Sequence, residues 1–227
     1  NTIRAYKSDY QDFALFCTKH NFNSMPSDPK TVSLYLTYLS KSAKYSTLKR
    51  RLASIKVMHR YKGHYLDTKH PIIVENLMGI KRQIGVYQKA KKPLLYNEIK
   101  LIVKQIDKSN DKPLKKSRDK ALILVGFAGG FRRSELVALE YDDIDFVNEG
   151  VKIVIKKSKT DQTGVGMTKA IPYFENNNYC PVISLKEWIN LSKIEDGKIF
   201  DISDKSVALK IKKYALLAGL EYKKYSG

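Results

Sequence analysis

The run Gly129-Gly130-Phe131-Arg132-Arg133-Ser134-Glu135-Leu136 sets two arginines between a glycine pair and a new helical pattern. The glycines stop an apolar stretch, and Ser134 opens the next helix. Arg132 is therefore expected at the junction of a buried helix and a helix N-terminus, beside backbone N–H groups that lack partners of their own. A planar guanidinium in that place can bind two oxygens of one phosphate. The competing reading is a structural pair with Glu135 or a solvated basic corner, because charges near helix ends are often only caps. Lys157-Ser158-Lys159-Thr160 falls at the tip of a hairpin pattern described below, from which a lysine can be pushed into a nucleic-acid groove. Taken alone it is an ordinary exposed lysine. From Lys41 to Arg60 there is no acidic residue, while Lys44, Lys49, Arg50, Arg51, Lys56 and Arg60 surround an apolar stripe. A face that only meets water usually mixes signs, so phosphate contact is the favoured reading.

Other chemistries find little support. Asp142, Asp143 and Asp145 lie between a helix end and a strand, where carboxylates are expected to make turns rather than hold a metal. His59 falls on an apolar stripe and reads as a core histidine; Trp188 reads as core as well. There is no His-x-x-His or Cys-x-x-Cys pair for zinc, and no Gly-x-x-x-x-Gly-Lys phosphate loop.

Charge points the same way as the basic stretch. The 227 residues hold 42 Lys and Arg against 23 Asp and Glu, a formal net charge of +19. Residues 1–92 carry 18 against 5, a net of +13, and residues 93–227 carry 24 against 18, a net of +6. A basic half joined to a balanced half implies a polyanionic partner, foremost a nucleic acid. An anionic membrane would call for an amphipathic helix with exposed large apolar residues or a lipidation motif, and neither is evident. With 43% hydrophobic and 29% charged residues, wholesale disorder is excluded. The longest apolar run, Ala121 to Phe131, is about half of the roughly 20 residues a membrane span needs. Two cysteines, Cys17 and Cys180, exclude a disulfide scaffold and fit a reducing cytoplasm.

The elements that must position these residues fall into two groups. In the first, Ile3, Tyr6, Tyr10, Phe13 and Cys17 recur at helical spacing. Asp28-Pro29 opens a second helix with Val32, Tyr35, Leu36 and Leu39 inward. Ser46 or Thr47 is expected to cap a third, through Leu48, Leu52, Ile55 and His59, which Gly63 ends. A fourth runs from about Lys69 to Ile84. Residues 1–87 thus predict a four-helix bundle, and polar residues 88–93 predict a linker. In residues 94–227, Asn97 and Ser117 are expected to cap two helices. Val151 to Lys157 alternates as a strand, and Thr160 to Gly166 turns into a second strand, Met167 to Tyr173. Ser184-Leu185-Lys186-Glu187 reads as a capping box that starts a helix, and a last helix spans about Ser203 to Leu217. The fold class is mainly α: a helical bundle, then an α+β domain with a small antiparallel sheet.

Together these residues resemble the tyrosine recombinase (phage integrase) family, over nearly the whole chain. Asn1-Thr2-Ile3-Arg4-Ala5-Tyr6 and Ser46-Thr47-Leu48-Lys49-Arg50-Arg51-Leu52-Ala53-Ser54-Ile55, with His59, are similar to its core-binding domain, a SAM-like bundle. Gly130 to Leu136, with Leu139 and Asp142-Asp143-Ile144, resembles the box of the first catalytic arginine. The arginine there stands three residues before the glutamate, so the resemblance selects Arg132 over Arg133 and takes Glu135 as its acidic neighbour. Ser158-Lys159-Thr160 resembles the segment of the catalytic lysine, which gives that role to Lys159.

The resemblance implies an enzyme that cuts and rejoins double-stranded DNA through a 3′-phosphotyrosine, without metal, ATP or other cofactor. It implies DNA contacts at Thr2, Arg4, Lys7, Lys44, Ser46, Thr47, Lys49, Arg50 and Arg51. It also implies a homo-tetramer on paired sites, and a monomer or weak oligomer when free. The family's second box, a His-x-x-Arg, and its nucleophilic tyrosine do not occur within the 227 residues. The expectation is therefore a chain continued elsewhere and inactive alone, with neither Tyr222 nor Tyr225 as nucleophile. A DNA-binding regulator or accessory protein that kept the clamp without the nucleophile is the alternative, and an RNA-binding protein a third. The expected location is the cytoplasm, at the nucleoid in a bacterium, or the nucleus for a eukaryotic element.

Overall fold

A computed structural model describes residues 2–87, 90–156 and 166–225. The chain divides into two compact units, Asn1–Lys89 and Ala90–Gly227.

The first unit is four helices: α1 (Thr2–Lys19), α2 (Pro29–Ser40), α3 (Tyr45–Tyr61) and α4 (Pro71–Ile84). Their stripes close over Phe13, Cys17, Val32, Tyr35, Leu36, Leu48, Ile55, Ile73 and Ile80, all buried. The α2 start is as predicted. Asp28 accepts from the Thr31 N–H at 2.9 Å and Pro29 fills the first helical position, a cap worth about 1 kcal/mol. The α3 start is not. Its N-cap is Lys44, which makes no side-chain bond, so Ser46 and Thr47 lie inside the first turn.

Polar pairs fix how these helices meet. Asp9 on α1 is buried, and Arg50, Arg51 and Ser54 of α3 all converge on it. Asp12 takes the Tyr35 hydroxyl at 2.6 Å and the Arg51 guanidinium at 3.1 Å. His59 is fully buried, as expected of a core histidine. Its Nε2 accepts the Ser27 N–H at 2.9 Å, and its Nδ1 lies 2.9 Å from the Ile55 carbonyl oxygen, so the proton belongs on Nδ1. Burial holds its pKa below the ordinary value, and the nearby His64 acts in the same direction.

That neutral ring makes the first unit acid-sensitive. An unfolded histidine titrates near pH 6.5, above the folded one, so the unfolded chain takes up the proton first as pH falls. The stability is complete above about pH 6.5 and is lost below it, by up to about 1.4 kcal/mol per pH unit, until the folded pKa is reached. Urea unfolding at about pH 7 and about pH 5, followed by NMR intensities from the first unit, should show this loss, and His59→Phe should remove most of it. An unchanged slope in the variant would place the acid sensitivity elsewhere.

The second unit contains α5 (Tyr96–Lys108), α6 (Pro113–Ala128), the single turn α7 (Arg133–Leu136), β1 (Ile144–Val147), β2 (Gly150–Ile155), β3 (Met167–Pro172), α8 (Pro181–Ser192) and α9 (Asp204–Leu217). The strands form one antiparallel sheet in the order β1-β2-β3, with Ile153 opposite Lys169 and Ile155 opposite Met167. Val151, Ile153 and Ile155 point inward, as the alternation predicts. The strand β1 was not expected. Asp142 and Asp143 occupy a 3-10 turn, as turn chemistry predicts, and Asp145 sits on β1. Helix α6 packs on α8 and α5 on α9, around Ile102, Leu122, Val125, Leu185, Phe200 and Tyr214. Trp188 is in this core, with its indole N–H on the Ile199 carbonyl at 2.9 Å.

Three predicted caps are corrected. Leu95, Lys112 and Cys180 are the N-caps of α5, α6 and α8, not Asn97, Ser117 and Ser184. For α6 and α8 the cause is a proline at the first helical position, whose fixed φ starts the helix several residues earlier. The last helix starts where its span predicts, with Ser203 as the α9 N-cap. Among the described residues no helix is long and apolar enough to cross a membrane.

Candidate functional site

Helix α6 ends at Ala128, and Gly130 then takes φ +56°, a left-handed turn that reverses the chain. A side chain at Gly129 would collide with the Phe131 ring. The two glycines therefore let the buried helix stop and deliver Arg132 at once as the N-cap of α7. Glu135, three residues on, reaches back to it twice. Its Oε2 accepts the Arg132 backbone N–H at 2.9 Å, and its Oε1 accepts from Arg132 Nη1 at 2.7 Å.

The two partners differ in exposure. The Glu135 side chain is 5% exposed, whereas that of Arg132 is 48% exposed. The carboxylate is thus a buried anchor, and the guanidinium is tethered at one edge while its other donors face solvent. Such a group can take a bidentate hold on an anion without first being ordered. Arg133 points elsewhere: it lines a cavity of about 140 Å³ whose other walls include Phe127, Phe131, Leu136 and Val207.

Behind the turn lies a residue that sequence reasoning missed. Lys169 of β3 donates to the Gly129 carbonyl at 2.6 Å and the Gly130 carbonyl at 3.1 Å, and its Nζ stands 4.6 Å from the Phe131 ring centroid. Its available signal was a lysine in phase with inward-facing Ile171. Lys156, at the end of β2, is engaged by Glu140 at 2.7 Å and Asp143 at 2.9 Å, and these bonds push its pKa up. Lys159, the predicted catalytic lysine, lies outside the described residues, as do Lys157, Ser158 and Thr160. Tyr225 is buried and its hydroxyl donates to Glu98 at 2.8 Å; burial raises its pKa. Among the described residues no group of three or more His, Cys, Asp or Glu is placed to hold a metal.

In the first unit the predicted contact residues separate into two kinds. Thr2, Arg4 and Lys7 on α1, and Lys44, Ser46, Lys49 and Arg50 at or in α3, are exposed; Thr47 is half-buried. Arg51 is turned inward with only 17% of its side chain exposed, held by Asp9 and Asp12. Arg50 also pairs with Asp9, yet 45% of its side chain remains exposed.

Residues 92–226 match the family model described as the phage integrase family. The chain belongs to that family, the tyrosine recombinases. Its relatives carry corresponding names. The chain is 37% identical over its full length to the integrase/recombinase XerD homolog of Selenomonas ruminantium, covering 70% of that protein. It is 32% identical, over 70% of its length, to tyrosine recombinase XerC of Herpetosiphon aurantiacus, covering 50% of that protein. Among solved structures, XerH site-specific recombinase bound to palindromic difH substrate, in a post-cleavage complex, superposes with a TM-score of 0.66. The identity is 17%, over 88% of this chain and 58% of XerH, so this likeness speaks for the fold. The pre-cleavage complex of XerH gives a TM-score of 0.54. The phage integrase member described here thus spans about half to seven-tenths of the proteins it matches.

Proposed function

We propose that this chain serves a site-specific DNA recombinase, one that cuts and rejoins duplex DNA by phosphoryl transfer to and from a tyrosine hydroxyl. The observation that carries this reading is Arg132, tethered by buried Glu135 at a helix start with half its surface open, in a chain of the phage integrase family. In this reading Arg132 grips two nonbridging oxygens of the scissile phosphate and offsets the charge that builds up as five oxygens surround phosphorus. Glu135 fixes the guanidinium beforehand. Lys159 donates the proton that the leaving 5′-oxygen needs; this role rests on sequence resemblance. The nucleophile is neither Tyr222 nor Tyr225, and the Tyr225 hydroxyl is already committed to Glu98.

The first unit serves as a core-binding domain and the second as the catalytic domain. Thr2, Arg4, Lys7, Lys44, Ser46, Thr47, Lys49 and Arg50 contact the duplex, mostly at phosphates, so affinity falls steeply with salt. Arg51, committed to Asp9 and Asp12, braces α3 for those contacts. The working assembly is a homo-tetramer on paired sites, in the cytoplasm at the nucleoid. The test uses the intact protein, with the second box and the nucleophilic tyrosine that the resemblance places outside these 227 residues, and a duplex selected from a randomised pool by retention on it, nicked beside the protected centre so that a cut strand is trapped. The expected result is a DNA-linked protein band that survives SDS and is removed by protease. Tight duplex binding without that band would overturn the recombinase in favour of a DNA-binding regulator.

A further inference from the structure

We propose that Lys169 is a positioning residue for Arg132, and that the same ammonium ties the β2–β3 hairpin to the arginine's turn. The inference rests on the reading that Arg132 holds the scissile phosphate.

The geometry is specific. Lys169 binds the carbonyls of Gly129 and Gly130 at 2.6 and 3.1 Å and lies 4.6 Å from the ring of Phe131. These three residues are the ones that immediately precede Arg132. The carbonyls close the C-terminal end of α6, where the helix dipole favours a cation, and the ring adds a second attraction. Among the described residues no other side chain donates to either carbonyl. The left-handed turn at Gly130 is thus gripped from the sheet side while Glu135 grips Arg132 from the helix side.

Solubility does not account for this lysine. It is half-buried and shares the inward face of β3 with Ile171, where an unpaired lysine is costly. It stands opposite Ile153 of β2, two residues inside the Ile155–Met167 pair at the hairpin base. One ammonium therefore sets the height of the arginine's turn against the paired strands β2 and β3.

Lys169→Met keeps the aliphatic stem and removes the ammonium, and Lys169→Arg restores a cation. In the intact protein that carries the nucleophile, Lys169→Met is expected to slow single-turnover cleavage of the selected nicked duplex about 10²-fold, the cost of misplacing a catalytic group by about 1 Å. Duplex affinity should stay the same, and Lys169→Arg should recover most of the rate. A merely structural role is separated by two further readouts. With a methylphosphonate at the scissile position, one anionic oxygen that Arg132 would hold is gone, so the Lys169→Met defect should shrink together with that of Arg132→Ala. In NMR spectra of arginine-labelled protein, Lys169→Met should shift or broaden the Arg132 Nε–H signal, leave that of Arg118 in place, and lose its effect in Lys169→Arg. An unmoved Arg132 signal, or a defect of undiminished size on the methylphosphonate, would overturn the proposal. If the wild-type intact protein forms no covalent adduct, the recombinase reading fails instead, and the Arg132 signal still decides whether Lys169 positions it.

Discussion

Arg132→Ala in the intact protein that carries the nucleophile should lower single-turnover strand cleavage by about 10³- to 10⁵-fold, the range seen when an arginine is removed from a phosphoryl-transfer site. Duplex affinity should fall by no more than about tenfold, the worth of one charge-assisted contact. The asymmetry follows from where the charge appears. In the ground state a phosphodiester carries one negative charge shared by two oxygens; in the transition state more charge gathers there, and a preorganised guanidinium binds it more tightly. Arg132→Lys should recover little, because an ammonium cannot span two oxygens in one plane. Arg133→Ala, which acts on a side chain facing the cavity under α7, should leave the cleavage step largely intact. Gel quantification of the trapped adduct beside a binding isotherm separates the two quantities. Equal losses in cleavage and affinity would make Arg132 a simple phosphate contact, and loss with Arg133→Ala instead would move the role by one residue.

The parts of this site that were legible in the sequence are those fixed by short-range constraints. Two glycines, an arginine and a glutamate three residues later define a turn and a cap within one helical turn, and the family resemblance then selected Arg132 with Glu135 as its neighbour. The stripes of α1 to α4 were equally legible because burial at spacings of three and four leaves few alternatives. What escaped reading depends on distant partners. Arg51 looks like any basic residue on α3 until Asp9, 42 positions away, turns it inward. Lys169 looks like a surface lysine until the sheet register sets it under carbonyls 40 and 39 positions earlier. The strand β1 is four residues long, with Asp145 between Ile144 and Phe146, too short for its alternation to stand out. The missed caps share another cause. Serine and asparagine near a helix start mark the first turn but do not select the residue within it, and Pro113 and Pro181 decided the matter for α6 and α8.

The largest effect on stability is expected away from the site, at Asp119 in the middle of α6. Its carboxylate is fully buried and has three partners: Arg118 at 3.1 Å, Lys210 of α9 at 2.9 Å and the Tyr214 hydroxyl at 3.0 Å. Burial and this carboxylate both push the Tyr214 pKa up, which keeps the phenol a donor. Asp119→Ala removes the acceptor and leaves Lys210, whose side chain is 15% exposed, without the carboxylate it pairs with. Stripping one member from a buried ion pair costs about 3–5 kcal/mol, a large share of the roughly 5–15 kcal/mol that holds a domain together. Tyr214→Phe, which gives up the hydroxyl shared between Asp119 at 3.0 Å and Asp111 at 3.1 Å but no charge, should cost less, about 2 kcal/mol. Trp188 is the only tryptophan and lies in the same core, so its fluorescence during urea unfolding reports this unit alone. The Asp119→Ala loss should be partly reversed by adding Lys210→Met, because an apolar pair of similar volume has no charge left to desolvate. If the double variant is as unstable as the single one, the loss comes from the cavity left by Asp119 rather than from the orphaned ammonium, and the electrostatic account of the α6–α9 contact fails.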